Sequence, residues 1–303
     1  MSFISLWEGA WYMPGCLLKI KEILPHLNES EKKVAQYVFD HPEEAKGMLI
    51  GELAERSDTS KAAVIRMCKS LGYGGYRDFR IGLASDIASQ LQVEHKYTDI
   101  QPGDSLDIIA QNVCFNNQKS IEDTRMILDP KQVEAAVLAL RHASNIAFYG
   151  VGASGIVAMD AQQKFLRINR SVITFLDFHL QAIATSNLTK GDVVVVISYS
   201  GETRETLDIV NIAKKREATV IGITKYGKST LSELSDIRLF HSSPETTMRS
   251  GAMGSRIAQL SIIDIIFTGY ASLDYSRIEG YLDQTQEVIK SRKSHKKHHD
   301  GKS

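Results

Sequence analysis

Hydrophobic and polar positions follow two different periods along the chain. In residues 17–92 apolar side chains recur every three or four positions, which is the period of amphipathic α-helices. After residue 145 short apolar runs alternate with helical stretches, which is typical of a parallel, doubly wound sheet. The pattern therefore predicts an all-α domain followed by an α/β domain with a five-stranded parallel sheet.

The α/β pattern resolves into individual elements. The predicted strands are 146–149, 172–176, 193–197, 220–224 and 237–240. The third of these reads Val-Val-Val-Val-Ile, as expected for a strand buried on both faces. Helices are predicted over 105–125 and 130–142, and a long apolar helix over 257–270. In such sheets ligands bind beyond the carboxyl ends of the strands.

Changes of pattern divide the chain into five segments. Residues 1–12 are expected to be an N-terminal extension, since Met13 would serve equally well as a start. The helical domain covers 13–92, a linker with a Pro-Gly pair covers 93–104, and the α/β domain covers 105–285. The charged tail, 286–303, is expected to be disordered, and its histidines are not read as a metal site.

A polar loop follows the third strand. Ser198, Ser200 and Thr203 supply three hydroxyls, Gly201 permits a tight turn, and Thr203 is predicted to cap the next helix. A helix N-terminus offers free backbone N–H groups and the positive end of the helix dipole, which favours a phosphate. Because the loop contains no lysine, we expect neutral donors to hold this phosphate.

A second loop, residues 150–155, follows the first strand and adds the hydroxyl of Ser154. It fits the pattern G-x-G-x-x-G, and Asp177 lies at the spacing of a ribose contact, so a dinucleotide site has to be weighed. Two hydroxyl-rich loops at neighbouring strand ends suit one compact phosphate better than an extended pyrophosphate. Alternatively, Ser154 is an ordinary N-cap. We expect no cofactor.

Further contacts with the same ligand are predicted from position alone. Gly152 and Gly201 lie inside the two loops, His179 follows the second strand, and Ser255 opens the long apolar helix. His179 could equally be structural. The apolar run 260–267 is wide enough to predict burial of that helix against another subunit.

The helical domain contains a helix, a short turn and a second helix. Residues 50–57 form the first helix, Asp58 and Thr59 the turn, and Ser60 the N-cap of a second helix that Gly72 ends. This is the helix-turn-helix layout, whose second helix enters the DNA major groove. Its predicted buried side consists of Val64, Ile65, Cys68 and Leu71.

Charge favours DNA binding by this second helix. Residues 60–80 contain five basic residues and one acidic residue, whereas the whole chain balances 36 Lys+Arg against 36 Asp+Glu. Two small alanines near its N-terminus would let the helix approach base edges. The alternative is a helical bundle with a solvated charged face. The predicted DNA-binding residues are Ser60, Lys61, Ala62, Ala63, Arg66 and Lys69.

Composition narrows the setting. The three cysteines are odd in number and far apart, which indicates a reducing compartment and no metal site. No stretch approaches the roughly 18 unbroken apolar residues that a membrane span needs. We therefore expect a cytoplasmic protein that does not bind membranes.

Both halves resemble one family. Residues 62–72 with 75–79 resemble the helix-turn-helix of RpiR-type (MurR/RpiR) bacterial transcriptional regulators, and residues 150–154, 197–203 and 249–260 resemble their sugar isomerase (SIS) domain, which is flavodoxin-like. The resemblance implies that Ser154, Ser198, Ser200 and Thr203 bind the phosphate of a sugar phosphate. It also implies a homodimer or homotetramer assembled through SIS domains. Asp58-Thr59 departs from the family's turn, but Asp tolerates the left-handed conformation.

The sequence leads to three alternative hypotheses about function. The first is a DNA-binding transcriptional regulator of sugar or amino-sugar catabolism, with a near-palindromic double-stranded operator and a phosphorylated sugar effector. Residues 153–164 look most like members that sense N-acetylmuramic acid 6-phosphate. The second is a sugar-phosphate isomerase, with Glu202, Glu245 or His179 as the general base. The third is a nicotinamide-binding protein.

Overall fold

The protein is described by a computed structural model over residues 15–90, 102–243 and 252–296. These residues form two compact units. The first unit contains 15–90, 102–130, 225–229, 240–243 and 252–258, and the second contains 131–224, 230–239 and 259–296. The predicted extension, 1–12, and most of the predicted linker lie outside the described residues.

The first unit is mainly helical. Its core is formed by buried apolar side chains of six helices, among them Val34, Leu53, Met67, Phe79 and Leu83, all 0% exposed. The helices of this unit are α1 Cys16–Ile23, a 3-10 turn Leu24–His26, α2 Glu29–Asp40, α3 Pro42–Ala45, α4 Ile50–Arg56, α5 Lys61–Ser70, α6 Tyr76–Gln90 and α7 Leu106–Ile127.

The predicted helix-turn-helix is confirmed as α4, a turn and α5. Asp58 adopts the left-handed conformation with φ 50°, and Gly72 follows α5 with φ 82°. Ser60 is the N-cap of α5, and its hydroxyl accepts a hydrogen bond of 3.2 Å from the backbone N–H of Ala63. These short-range signals were sufficient to place both helices.

The predicted buried side of α5 is partly wrong. Ile65 is 39% exposed, whereas Met67 is fully buried beside Val64 and Cys68. Ile65 is one residue from Val64, which turns its side chain about 100° around the helix axis and away from the core. Cys68 is fully buried, as predicted, and this burial raises the pKa of its thiol to about 12.

The second unit is built on a five-stranded sheet. The strand order is β2-β1-β3-β4-β5, and β1 pairs in parallel with both β2 and β3, as β3 does with β4. The elements in chain order are α8 Pro130–His142, β1 Ile146–Gly150, α9 Ala153–Leu166, β2 Val172–Ile173, α10 Phe178–Ser186, β3 Val193–Ile197, α11 Arg204–Lys215, β4 Thr219–Lys225, α12 Thr230–Leu234, β5 Ile237–His241, α13 Met253–Ser272 and α14 Tyr275–Lys296.

Strand β2 is shorter than the predicted 172–176. It ends at Ile173, because the hydroxyl of Thr174 donates a 2.6 Å hydrogen bond to the Phe148 carbonyl in place of a ladder bond. Phe175 and Leu176 are exposed beyond this point. The edge position of β2 in the sheet leaves it no second neighbour to extend the ladder.

Helices α13 and α14 bear on two predictions. Ile262, Ile263 and Ile266 of α13 are fully buried, whereas Ile265 is 37% exposed, so burial of this helix against another subunit stays a prediction. The predicted disordered tail is helical from residue 286 to Lys296, because α14 continues past the predicted domain end. Over the described ranges no single helix is long and apolar enough to cross a membrane. Helices α13 and α14 reach that length and apolar character only when taken together, and a bend of 115° separates them.

Candidate functional site

The loop after β3 is folded by its own hydroxyl groups. The side-chain oxygen of Ser198 accepts a 3.2 Å hydrogen bond from the backbone N–H of Gly201, whose φ of 69° allows the tight turn. The same oxygen lies 3.2 Å from the hydroxyl of Thr203. Ser198 is only 3% exposed, so these bonds define the loop from inside.

Thr203 stands at the predicted N-cap of α11 but does not cap it. Within the described part of the chain its side chain makes no capping hydrogen bond, because the hydroxyl is turned towards Ser198. Helix α11 has 12 residues, so a full helix dipole points its positive end at this loop. The backbone N–H groups of its first turn are therefore left for another acceptor.

Ser200 is the exposed hydroxyl of the loop. Its oxygen accepts a 3.2 Å hydrogen bond from the backbone N–H of Glu202. In that bond the serine is the acceptor, so its own hydrogen can be donated to a bound anion. Ser198, Ser200 and Thr203 thus surround one helix N-terminus in different roles.

The second predicted loop leaves the sheet beside the first. Strands β1 and β3 are neighbours, with Gly150 in register with Ile197, so both loops start at the same sheet edge. Ser154 is the second residue of α9 and is 7% exposed. Its hydroxyl donates a 3.3 Å hydrogen bond to the side-chain oxygen of Gln259. The N-cap of α9 is Gly152, so the alternative of Ser154 as an N-cap is wrong.

The glycines of this loop have packing reasons of their own. A Cβ on Gly150 would lie 2.6 Å from the backbone carbon of Ser154, and one on Gly155 would lie 3.1 Å from the Gly150 carbonyl oxygen. Asp177 is the N-cap of α10 and accepts the Leu180 N–H at 3.0 Å. The strand-to-helix turn and this cap account for the features that favoured a dinucleotide.

The remaining predicted effector contacts, Gly152, His179 and Ser255, have fewer features that connect them to the two loops. Gly152 has φ 58° and ψ −125°, and a Cβ there would meet no described atom within 4 Å, so space is open above it. His179 is exposed on the first turn of α10. Ser255 is 2% exposed and belongs to the first compact unit. Contact of these residues with an effector stays a prediction.

Glu202 has a structural role that the sequence did not reveal. Its carboxylate accepts the Thr230 backbone N–H and the Thr230 hydroxyl, each at 2.7 Å, at the start of α12. These hydrogen bonds lower the pKa of Glu202. A carboxylate stabilised in its charged form is a weak general base. Glu245, the other predicted carboxylate base, lies outside the described residues.

The predicted DNA-binding residues, on α5 and at its N-cap, are exposed with one exception. Ser60, Lys61, Ala62, Arg66 and Lys69 are exposed. The exception is Ala63, which is 1% exposed, so its side chain packs in the helical core and cannot reach a base.

Sequence reasoning missed several partners. Gln259, which holds Ser154, lies 105 residues away along the chain, and Thr230 lies 28 residues from Glu202. No local pattern encodes either contact. Exposed Ile65 could have been found by counting helical spacing more strictly. No group of three or more metal-ligating side chains is found in the described ranges.

Replacing Ser198 by Ala should lower stability more than replacing Ser200. S198A leaves the buried Gly201 N–H without its acceptor, which we expect to cost about 1–3 kcal/mol. S200A removes an exposed hydroxyl and should stay within about 0.5 kcal/mol of wild type. Urea unfolding followed by circular dichroism measures both. Equal losses for the two variants would contradict the described hydrogen bonds of the loop.

Comparison with known proteins gives a consistent family. The helix-turn-helix domain of the rpiR family matches residues 14–90, and the SIS domain matches residues 139–269. A helix-turn-helix-type transcriptional regulator of Caldanaerobacter subterraneus subsp. tengcongensis is 40% identical over 281 residues, covering 93% of this chain and 99% of the relative. YbbH of Bacillus subtilis, another regulator of this type, is 40% identical over 278 residues, covering 91% of this chain and 98% of its own.

A solved structure agrees over both domains. The Vibrio vulnificus NanR protein, complexed with ManNAc-6P, superposes with a TM-score of 0.57 at 29% identity, covering 90% of this chain and 97% of NanR. The order of the domains and the similarity over nearly the full length of these relatives lead to one conclusion. The chain belongs to the rpiR family of helix-turn-helix transcriptional regulators with a SIS domain.

Proposed function

We propose that this regulator controls genes of sugar or amino-sugar catabolism and that its SIS domain binds a phosphorylated sugar at the carboxyl ends of β1 and β3. The observation that supports this most is the uncapped N-terminus of α11 next to the hydroxyls of Ser198, Ser200 and Thr203. A phosphate there would accept the first-turn N–H groups and meet the positive end of the dipole. The NanR structure, which holds ManNAc-6P, supports the ligand class.

The sugar itself is a separate question. The likeness to regulators that sense N-acetylmuramic acid 6-phosphate is not confirmed. Since the NanR structure carries ManNAc-6P, amino-sugar 6-phosphates are the first group to test. The open space above Gly152 offers room for the part of the ligand beyond the phosphate.

We also propose that the protein is not an isomerase. Isomerisation requires a general base near the carbon that loses its proton. Glu202 is engaged by Thr230 in its charged form, which makes it unsuited to that role. Turnover of an aldose or ketose phosphate that is abolished by E202Q or E245Q would refute this part.

A phosphorylated sugar should raise the melting temperature of the wild type. A ligand at about 100 times its Kd adds about 2.7 kcal/mol to the free energy of unfolding. The panel contains N-acetylmuramic acid 6-phosphate, ManNAc-6P and the unphosphorylated sugars, and differential scanning fluorimetry measures the shift. S200A should lose the shift while its ligand-free melting temperature is unchanged.

The matched control is S171A. Ser171 is exposed and precedes β2, so it lies at the amino end of that strand, opposite to the carboxyl ends where the proposed site lies. It should respond to the sugar as the wild type does. If no phosphosugar moves the wild type, or if S200A and S171A respond alike, the site is wrongly assigned.

Removing Arg66 or Lys69 should weaken operator binding regardless of sequence context. Both are exposed on α5, where they can pair with DNA phosphates. Each replacement by Ala should reduce the slope of log K against log salt by about one. Mobility shift with DNA upstream of the gene, at several salt concentrations, measures this. The control K215A removes an exposed lysine in the other unit. Equal slopes for all variants would rule out α5 as the DNA-binding surface.

Exposed apolar residues on the second unit support self-association. Ile156, Met159 and Leu166 of α9 recur at helical spacing and are 54%, 46% and 51% exposed. The side chain of Leu176, which is 62% exposed, borders Gly155 of the same helix, and we call these four apolar residues with their surroundings the α9 face. An exposed apolar surface of this kind is typical of subunit interfaces. We propose that it forms the interface of a homodimer, or of a homotetramer with a second surface.

The variant M159E should dissociate the oligomer, because it places a charge in the middle of the proposed interface. Analytical ultracentrifugation should show a smaller species for M159E than for wild type. L138E, which alters an exposed leucine of α8, serves as the control and should keep the wild-type mass. A monomeric wild type, or identical masses for both variants, would contradict this assignment.

A further inference from the structure

We propose that Glu31 is a positioning residue for DNA recognition and acts through Arg66. Its buried carboxylate fixes the Arg66 guanidinium on the exposed face of α5 before DNA arrives. This inference rests on the proposed DNA-binding role of α5. The sequence predicts a different task for Glu31, because Asn28 followed by Glu31 resembles a capping box at the start of α2.

The capping role explains only part of the Glu31 contacts. The Asn28 side-chain oxygen accepts the Glu31 backbone N–H at 3.0 Å, as a cap should. In a capping box the Glu31 carboxylate would then bond the N-cap backbone N–H. Here it instead accepts the Asn28 side-chain amide at 2.7 Å, and it continues towards α5. The carboxylate is thus directed away from the backbone of its own helix.

Two residues of α5 reach this carboxylate. The Ser70 hydroxyl donates to one oxygen at 3.1 Å, and the Nε atom of Arg66 lies 3.4 Å from the other. Arg66 and Ser70 are four residues apart and therefore share one helix face. An Arg66 terminal nitrogen also donates to the Ser30 hydroxyl at 3.3 Å. The first turn of α2 therefore holds the guanidinium at two of its nitrogens.

Burial is unequal across this ion pair. The Glu31 side chain is 8% exposed and that of Arg66 is 53% exposed. A buried carboxylate needs its partners, because an unpaired charge in the interior is costly. The exposed half of Arg66 stays available to a phosphate or a base. An arginine that is already ordered loses less side-chain entropy when it binds.

Because Glu31 is negatively charged, electrostatic repulsion and positioning of Arg66 predict opposite changes in DNA affinity when its charge is removed. A carboxylate near a DNA surface repels phosphates, so its neutralisation by itself would strengthen binding. Loss of the held Arg66 conformation would weaken binding. If positioning is the main contribution, removing the charge of Glu31 must lower the affinity for DNA, and only while Arg66 is present.

A double-mutant cycle in operator affinity tests this. E31Q keeps the size of the side chain and removes its charge, and R66A removes the proposed target. We expect E31Q to raise the operator Kd about three- to tenfold in the wild-type background and less than about twofold in the R66A background. The control S70A removes the other α5 bond to Glu31 and should change the Kd less than E31Q does.

Each outcome decides the matter. E31Q that binds DNA unchanged or more tightly, or that weakens binding equally with and without Arg66, overturns the inference. Should E31Q fail to fold, R66K replaces it, since lysine keeps the charge but lacks the Nε contact, and it should weaken binding nearly as much as R66A. R66K with wild-type affinity would then overturn the inference. Wild type that fails to bind operator at low salt rejects the DNA-binding role of α5 itself.

Discussion

The proposed effector site depends on one hydroxyl pair, Ser198 and Thr203, at the end of β3. Because the Thr203 hydroxyl is turned to Ser198, it does not satisfy the first turn of α11. A helix end with unpaired N–H groups is ordinarily capped by its own N-cap side chain. Here the loop directs that side chain inward and keeps the helix N-terminus open to an anion. The same arrangement makes Ser198 a structural residue and leaves Ser200 as the hydroxyl most exposed to a ligand.

The parallel sheet brings a second loop beside the open N-terminus of α11, so that the two loops together can form one site. The register of Gly150 with Ile197 brings the loop of α9 to the same edge as the loop of α11. Gly150 and Gly155 permit the close approach of strand and helix, since a Cβ on Gly150 would collide with the backbone of Ser154 and one on Gly155 would be crowded by the Gly150 carbonyl. The glycine pattern therefore belongs to the packing of the fold and only indirectly to the ligand. In the other unit, the buried carboxylate of Glu31 connects two elements in a similar way, because it links α2 to the exposed face of α5.

Much of the fold follows from local sequence, and less of the site does. Strand β3 and helix α8 were predicted with their observed ends, since four valines in a row and a proline at a helix start are strong short-range signals. The helix-turn-helix was equally predictable from Ser60 and Gly72. The length of β2 was not, because a side-chain hydroxyl, that of Thr174, takes the next carbonyl of the ladder.

Contacts between distant residues account for most of what the sequence left out. The hydroxyls of both loops were found from their position after strands. Gln259, the partner of Ser154, was not found, and neither was Thr230, the partner of Glu202, since both reach these loops only through the fold. The orientation of α5 about its own axis was also predicted only in part. The prediction buried Ile65 in place of Met67 and assigned the buried Ala63 to the DNA-binding surface. A capping pattern concealed the second role of Glu31, because its carboxylate contacts α5 only in the folded domain.

We expect a phosphorylated sugar and operator DNA to bind the same protein and to change each other's affinity. The most direct test measures the operator Kd with and without saturating phosphosugar, and the phosphosugar Kd with and without operator, on the same preparation. Thermodynamic linkage requires the two ratios to be equal, and we expect a factor of about 5 to 150 in either direction. S200A should bring the operator ratio to one while its affinity for DNA alone is unchanged. An operator affinity that does not respond to any phosphosugar that binds the protein would contradict coupling between the two sites.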